Sequence, residues 1–200
     1  MEKLMREVKA QLESWPAWLE AKTVVLAVSG GVDSMVMLRL MNELNQLRQY
    51  NHLQLVVAHF NHKLRPESDN EAIAIKEIVA EYGCIYFATE WGEPAATNVE
   101  AQARDARYQF FAEVIRTTEA DVLMTAHHLN DVAETFLMRM TRGTSIRGLQ
   151  GIRGCYQRLM SDPSGHTVMP TIIRPFIGVT KAELEAYAEK FNVTYFEDAS

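Results

Sequence analysis

The sequence predicts an α/β fold: a doubly wound, mainly parallel sheet of about five strands with helices on both faces. Short apolar runs alternate along the chain with longer segments of helical periodicity. The first run, residues 24–28, is apolar at every position, as expected of a parallel strand buried on both sides. Because strand–helix–strand units cross over with one hand, their strands are expected side by side in one sheet.

The N-terminal elements follow in order from these patterns. An opening helix is expected within residues 1–20, interrupted at Trp15-Pro16 because proline cannot continue a helical hydrogen-bond ladder. Four strand–helix units come next. Their strands are expected at residues 24–28, 53–60, 85–89 and 121–126, and their helices at 34–48, 68–82, 98–119 and 131–140.

The C-terminal part has a different pattern. Two β-tending runs, residues 156–160 and 167–173, flank the turn sequence Asp162-Pro163-Ser164-Gly165 and predict a hairpin. A helix at residues 180–192 and a short strand at 193–196 are expected to complete the fold.

Composition limits the classes of protein that fit. A chain of 200 residues with 48% apolar residues can bury one normal core. The net charge of −6 argues mildly against non-specific nucleic-acid binding but leaves room for a local basic patch. Cys84 and Cys155 form neither a CxxC pair nor a zinc spacing, which favours a reducing compartment. With no apolar run of about 20 residues, a cytoplasmic protein is expected.

Residues 29–34, Ser-Gly-Gly-Val-Asp-Ser, join the first strand to a helix and are named here the phosphate loop. Its glycines allow positive φ angles and close approach of a ligand, and the helix start offers free N–H groups to an anion. Ser29 and Ser34 can add hydroxyl donors, whereas Asp33 beside an anion calls for an intervening Mg²⁺. No Walker A sequence is present. A plain strand-to-helix turn is the alternative.

The phosphate loop resembles the PP-loop of ATP pyrophosphatases, enzymes that cleave ATP to AMP and pyrophosphate while adenylating a substrate. The resemblance implies an adenine nucleotide alpha-hydrolase-like fold, with ATP and Mg²⁺ as cofactors. It implies ATP contacts from Ser29, Gly30, Gly31, Val32, Asp33 and Ser34, with Asp33 as the metal ligand.

A second segment, residues 58–65, ends the second predicted strand. Since the carboxyl ends of strands in a doubly wound sheet face the ligand crevice, His59 is placed to contact or stack on adenine. The alternatives are a solvated loop, or a metal pair with His62 for which no third ligand is evident.

A third segment, residues 98–108, places Arg104 and Arg107 on one helix face. On spacing alone, a surface helix with a Glu100–Arg104 ion pair is favoured.

A fourth segment, residues 125–135, begins at the end of the fourth predicted strand. Asp131 and Glu134 share one helix face and together suit a cation such as a lysine ammonium. A capping box, with Asp131 as N-cap and Glu134 at the third helical position, is the alternative, and the sequence leaves both open.

These segments, in order and together with Arg174-Pro175-Phe176 and the final Asp198-Ala199-Ser200, resemble the tRNA(Ile)-lysidine synthetases from about residue 23 to residue 200. The resemblance implies an ATP-dependent ligase that joins lysine to C2 of a wobble cytidine through an adenylated cytidine. The implied partners are tRNA(Ile) with a CAU anticodon and free L-lysine; a homodimer is compatible, and no membrane partner is expected. The implied roles are catalysis for Asp33, Arg107 and Asp131, further ATP contacts for His59, Arg104 and His127, and lysine contacts for Asp131 and Glu134.

The resemblance also implies a domain organisation. Residues 1–200 are expected to form a single PP-loop ATP-binding catalytic domain, with an N-terminal helix at 1–20 and a basic loop and hairpin at 141–175. The C-terminal tRNA-binding domains usual in these enzymes are expected to be absent from this chain.

A basic interval suggests where RNA would bind. No acidic residue occurs between Glu134 and Asp162, whereas five arginines do. Arginine–phosphate contacts are the physical basis of RNA affinity, although ordinary solvated charges are the alternative. The residues expected to contact tRNA are Arg139, Arg142, Arg147 and Arg174.

Three other functions remain open from the sequence. They are a PP-loop tRNA thiolase, a ligase that adenylates and amidates a metabolite without RNA, and a nucleotide-binding sensor without catalysis.

Overall fold

The computed structural model describes residues 2–63, 67–92, 98–141 and 151–196. The helices are α1 Lys3–Glu13, α2 Pro16–Leu19, α3 Val32–Asn45, α4 Ser68–Glu81, α5 Val99–Thr118, α6 Leu129–Thr141 and α7 Lys181–Lys190. The strands are β1 Thr23–Ala27, β2 Gln54–Asn61, β3 Ile85–Glu90, β4 Val122–Met124, β5 Cys155–Gln157, β6 Met160–Ser161, β7 Thr167–Val168 and β8 Thr171–Ile173.

The main sheet has the order β3-β2-β1-β4-β8-β5, in which only the edge strand β5 is antiparallel to its neighbour. The expected doubly wound, mainly parallel sheet is therefore confirmed. It has six strands rather than about five, because β5 and β8 of the predicted hairpin join its edge. The tip of the hairpin forms a separate ribbon of β6 and β7.

Two apolar layers cover the sheet. Along β1, Val24 and Leu26 pack with residues of α1, α3, α4 and α7, whereas Val25 packs with residues of α5 on the opposite face. This alternation follows from the period-two geometry of a strand. A strand with helices on both faces must be apolar at successive positions, which explains the uninterrupted run at residues 24–28.

The remaining boundaries agree with local sequence signals. The opening helix is interrupted as predicted, since α1 ends at Glu13 and α2 begins at Pro16. Helix α7 begins with a complete capping box, in which the Thr180 hydroxyl accepts from the Glu183 N–H and the Glu183 carboxylate accepts from the Thr180 N–H. In the part of the chain that the structure describes, no helix has the length and apolarity needed to cross a lipid bilayer.

The strand predicted at residues 193–196 is wrong. This segment has no ladder partner; instead the Phe196 N–H donates to the Gly30 carbonyl at 3.0 Å. Its apolar side chains, Val193 and Phe196, pack against the core below the phosphate loop. The β-tending composition therefore reflects burial against this loop and not membership of the sheet.

Candidate active site

A cavity of about 1320 Å³ opens at the carboxyl ends of β1 and β4. Strand order reverses at β1, because the chain proceeds from β1 through β2 to β3 on one side and continues with β4 on the other. Such reversal points leave a crevice above a parallel sheet. The phosphate loop, α5, the segment from Thr125 to Asp131 and α7 all contribute to the walls of this crevice.

The phosphate loop is held in shape by Ser34. The Ser34 hydroxyl accepts hydrogen bonds from the backbone N–H groups of Ser29 and Gly30, at 3.2 and 3.1 Å, and donates to the Gly31 carbonyl at 2.9 Å. Its oxygen also lies 3.1 Å from the Ser29 hydroxyl. The predicted loop is therefore a fixed turn, in which the Ser34 hydroxyl organises backbone groups. Of the six loop residues assigned to ATP, five line the cavity: Ser29, Gly31, Val32, Asp33 and Ser34.

Gly30 shows why this turn needs glycine. Its φ angle is +104°, and a Cβ atom at this position would lie 3.1 Å from Cδ1 of Ile75 and 3.3 Å from Cδ2 of Phe196. The position therefore combines a backbone conformation that L side chains rarely adopt with close neighbours.

Replacing Gly30 by alanine is expected to lower the free energy of unfolding by about 1–3 kcal/mol and to weaken nucleotide binding. Gly83→Ala is the matched control, since Gly83 has φ +67° but open space around its Cβ position. That variant should lose only about 1 kcal/mol and keep its nucleotide affinity. Urea unfolding and nucleotide titration of both variants measure the two effects. Equal losses in the two variants would contradict the role of packing at Gly30.

Asp33 projects from the first turn of α3 and forms an ion pair with Lys181 at the start of α7. The Lys181 ammonium lies 2.9 Å from Oδ1 and 2.8 Å from Oδ2 of Asp33. The sequence did not assign a role to Lys181, because 148 positions separate the two residues and no local pattern links them. Lys181 lies in the C-terminal segment that carries the family resemblance and at the start of a capped helix, and neither signal gave it a role.

His128 lies between two of the predicted carboxylates. Its Nε2 is 3.7 Å from Oδ2 of Asp33, and its Nδ1 is 3.4 Å from Oδ2 of Asp131. The ring is buried, and the sequence did not single it out. One imidazole therefore connects the phosphate loop to the first turn of α6.

Asp131 occupies the third position of α6 rather than its N-cap, since the helix begins at Leu129. Its Oδ2 accepts the backbone N–H of His128 at 2.7 Å. The alternative with Asp131 as N-cap and Glu134 at the third helical position is therefore wrong. Asp131 nevertheless caps the helix from its third position, because its carboxylate accepts the His128 N–H. Asp131 lines the main cavity, and Glu134 lines a neighbouring one of about 780 Å³.

His59 does not reach the cavity. It is 4% exposed, and its Nδ1 lies 2.9 Å from the Val28 carbonyl oxygen. Since that carbonyl can only accept, Nδ1 carries the proton and Nε2 is an acceptor. Burial lowers the pKa of His59, which favours the neutral ring. In this structure His59 supports the strand end that leads into the phosphate loop, and the expected contact with adenine does not fit its position.

His127 and Arg107 line both cavities. Burial, with a smaller effect of the nearby positive charge of Arg174, lowers the pKa of His127 to about 4, so its ring is neutral near pH 7. Its Nδ1 lies 2.9 Å from the Thr125 hydroxyl. Burial also lowers the pKa of Arg107, which nevertheless stays charged, as arginine does in proteins. The wall shared by the two cavities thus contains the neutral imidazole of His127 and the half-buried, positively charged guanidinium of Arg107.

The neighbouring cavity is rich in arginine. Arg104, Arg139 and Arg153 line it, as does Tyr156. Among the ion pairs of the described residues, none joins Glu100 to Arg104, so the predicted surface pair is not formed. Arg142 and Arg147 lie outside the described residues.

Arg174 is not the exposed cation that RNA contact suggested. It is 7% exposed, its guanidinium donates to the Arg153 carbonyl at 2.7 Å and to the Tyr156 hydroxyl at 3.1 Å, and it lies 5.1 Å from the centre of the Tyr156 ring. These contacts fix the wall of the neighbouring cavity. Arg174 itself lines this cavity, so a direct contact with RNA there stays a prediction.

The donors for a metal ion are limited. Within residues 2–63, 67–92, 98–141 and 151–196, no group of three or more His, Cys, Asp or Glu side chains is arranged to hold a metal. Asp33 fits the single carboxylate that Mg²⁺ uses when substrate phosphates and water supply its other ligands.

Comparison with known proteins extends these observations. A tRNA(Ile)-lysidine synthase of Enterococcus faecalis is 42% identical over 182 residues, which are 90% of this chain and 37% of that protein. One of Lactiplantibacillus plantarum is 38% identical over 90% of this chain and 38% of its own length. The chain thus spans little more than a third of the length of these curated relatives.

Solved structures show the same fold. A U34-tRNA thiolase from Methanococcus maripaludis, determined with its [4Fe-4S] cluster, has a TM-score of 0.75 at 20% identity and is matched over 99% of this chain and 66% of that one. An NH3-dependent NAD synthetase from Campylobacter jejuni has a TM-score of 0.53 at 12% identity, over 95% of this chain and 71% of that one.

A family profile described as a PP-loop domain matches residues 1–200. It covers both the strand-to-helix loop and the carboxylates that face it across the cavity. This chain belongs to the PP-loop domain family.

Proposed function

We propose that this chain is the catalytic domain of a tRNA(Ile)-lysidine synthetase, which uses ATP to join lysine to C2 of the wobble cytidine of a tRNA(Ile) with a CAU anticodon. The observation that carries the proposal is the sharing of Arg107, Tyr108, His127 and Asp131 by the two cavities. A nucleotide beside the phosphate loop and a base in the arginine-lined cavity would meet at these four residues. The relatives named as lysidine synthases support the same reaction.

The phosphate loop binds the phosphates of ATP. Residues at the start of α3 line the main cavity, and the free N–H groups and the dipole of a helix start favour negative charge there. Asp33 would hold Mg²⁺, which when bound neutralises phosphate charge. Lys181, now paired with Asp33, lies close enough to this site to exchange its carboxylate partner for a phosphate oxygen. Arg107 stabilises the charge that develops on the α-phosphate.

The cytidine enters from the neighbouring cavity. Its C2 oxygen attacks the α-phosphorus of ATP, and the bond to pyrophosphate breaks, giving an O-adenylated cytidine. The amine of lysine then attacks C2, and AMP leaves with the former C2 oxygen. Reaching C2 requires the base to leave its stack, as in other enzymes that modify single bases.

Asp131 and Glu134 orient the lysine. They lie on successive turns of one face of α6. Asp131 lines both cavities, and Glu134 lines the neighbouring, arginine-rich cavity. Two carboxylates attract a cationic amino acid. Asp131 is half-buried and Glu134 is exposed, so the attraction is expected to be stronger at Asp131.

The decisive experiment measures pyrophosphate release from ATP by the full-length protein, with and without tRNA and with and without lysine. Release that depends on tRNA, together with attachment of labelled lysine to RNA, is the expected result. Release without RNA would indicate a ligase that adenylates a metabolite. ATP binding without release under any of these conditions would indicate a nucleotide sensor.

The position of the cysteines argues against a thiolase. Burial raises the pKa of Cys84 to about 11 and also raises that of Cys155, so both are thiols near pH 7. Neither side chain lines either cavity. Sulfur transfer needs a reactive thiolate or a cluster at the site.

Replacing both Cys84 and Cys155 by alanine is accordingly expected to leave tRNA-dependent pyrophosphate release within about twofold of the unaltered protein, because neither thiol reaches the cavities. Loss of this activity, with the fold retained by circular dichroism, would favour a thiolase.

A further inference from the structure

Lys181 lies where a metal ion at Asp33 would have to bind. Its ammonium is 2.9 Å from Oδ1 and 2.8 Å from Oδ2, so one cation already contacts both oxygens of this carboxylate. The two side chains are only 36% and 25% exposed, and solvent therefore screens the pair in part. A metal ion held by either oxygen would lie close to the ammonium, and two cations at such a distance repel each other.

The backbone of Lys181 is anchored, whereas its side chain can change partners. The Lys181 N–H donates to Oδ1 of Asn130 at 3.1 Å, and the Leu129 N–H donates to the Val179 carbonyl at 2.8 Å. These bonds join the start of α7 to the start of α6 and keep Lys181 on the wall of the main cavity. The flexible four-carbon stem lets the ammonium move from one oxygen to another nearby.

The charge of the arriving group decides whether Lys181 leaves Asp33. The ion pair has no net charge. A free divalent cation would add positive charge beside the ammonium and offer it no other anion. In a complex of ATP with Mg²⁺, the negative charge of the phosphates exceeds the charge of the cation. Asp33 can then hold the cation while the ammonium pairs with a phosphate oxygen, so the exchange is favourable only when cation and phosphates arrive together.

We propose that Lys181 excludes free metal ions from Asp33 and releases this carboxylate only to a metal ion that arrives with the phosphates of a nucleotide. The inference rests on the proposed function, which assigns Mg²⁺ to Asp33. Lys181 thus has two opposite effects on binding: it weakens the binding of metal alone and strengthens the binding of the metal–nucleotide complex. A residue that only stabilised the start of α7 would not weaken metal binding.

The test measures the binding of Mn²⁺, used in place of Mg²⁺, to the full-length protein without nucleotide, with free Mn²⁺ followed by electron paramagnetic resonance. Lys181→Met retains most of the side-chain length but removes the charge. This variant should lower the Kd for Mn²⁺ on the order of tenfold or more, because the competing cation is gone. It should also raise the Kd for the α,β-methylene analogue of ATP at saturating Mg²⁺, on the order of tenfold by calorimetry, because a phosphate oxygen loses its partner.

Lys76→Met is the matched control, because Lys76 is exposed on α4 and lines neither cavity. Both of its Kd values should stay within about twofold of those of the unaltered protein. Lys181→Gln is a second neutral variant, should Lys181→Met disturb folding, and it should change the two Kd values in the same directions. Combining Asp33→Asn with Lys181→Met should abolish the gain in Mn²⁺ affinity, because the gain depends on the Asp33 carboxylate.

The outcomes separate this inference from the function on which it rests. If the folded Lys181 variants bind Mn²⁺ no more tightly than the unaltered protein, the exclusion of free metal is wrong, and tRNA-dependent pyrophosphate release by the unaltered protein would leave the ligase proposal standing. A gain that persists in the double variant would locate the metal away from Asp33 and would also contradict the inference. If the unaltered protein binds the analogue equally well with and without Mg²⁺, the metal role of Asp33 fails and this inference fails with it.

Discussion

Replacing Asp33 by asparagine is expected to reduce tRNA-dependent pyrophosphate release on the order of 10²–10³-fold. Asparagine keeps the shape of the side chain but removes the charge that now pairs with Lys181 and that would hold Mg²⁺ beside the phosphates. Because the loss concerns charge stabilisation in the reaction more than the fold, the free energy of unfolding should change little. Initial rates of pyrophosphate release at saturating ATP measure the effect.

The control for this substitution is Asp105→Asn. Asp105 is an exposed carboxylate of α5 that lines neither cavity. It should release pyrophosphate at the unaltered rate. If Asp33→Asn retained more than about a tenth of the normal rate, Asp33 would have no essential part in adenylation.

Replacing Asp131 by asparagine is expected to raise the KM for lysine by about 10- to 100-fold, while adenylation of the tRNA continues. The choice of asparagine follows from the structure. Asp131 Oδ2 accepts the backbone N–H of His128, so alanine would remove a helix cap as well as a charge. Asparagine retains an acceptor oxygen, and its effect therefore reports mainly on the lost charge.

Lysine titrations of the complete reaction give the KM, and pyrophosphate release without lysine reports adenylation separately. Glu134→Gln should show a similar change in KM, because Glu134 lies on the same face of α6 but has no capping contact among the hydrogen bonds of the described residues. An unchanged lysine KM in Asp131→Asn would exclude Asp131 from lysine binding.

Local patterns in the sequence were sufficient for most elements. The apolar run of β1, the Trp15-Pro16 interruption and the Thr180 cap each depend on near neighbours in the chain. The hairpin turn is similar: the Asp162 carboxylate accepts the N–H groups of Ser164 and His166, both at 2.9 Å, as its turn sequence predicted. The segment at residues 193–196 was misjudged because β-tending residues bury themselves equally well against a loop as in a sheet.

The residues of the candidate site also fall into two groups: those that the local sequence identified and those that only the structure revealed. Asp33 was identifiable from the six-residue loop that contains it, because a strand, two glycines and a helix start already define an anion site. Lys181 and His128 were not, since their importance lies in distances to Asp33 across the crevice. His59 and Arg174 were identified as polar residues near the right strand ends, but burial turned both toward backbone carbonyls.

The sequence by itself therefore determined the strand–helix order, the phosphate loop and the presence of two carboxylates on α6, because each depends on residues within about one turn or one strand of each other. Only the tertiary structure decided which charges meet. Separate elements pack around the end of β1, and three features arise there. Lys181 pairs with Asp33, His128 lies between Asp33 and Asp131, and Arg107 lines both cavities. Contacts of that kind depend on how the chain crosses over the sheet, and no periodicity within a single segment records them.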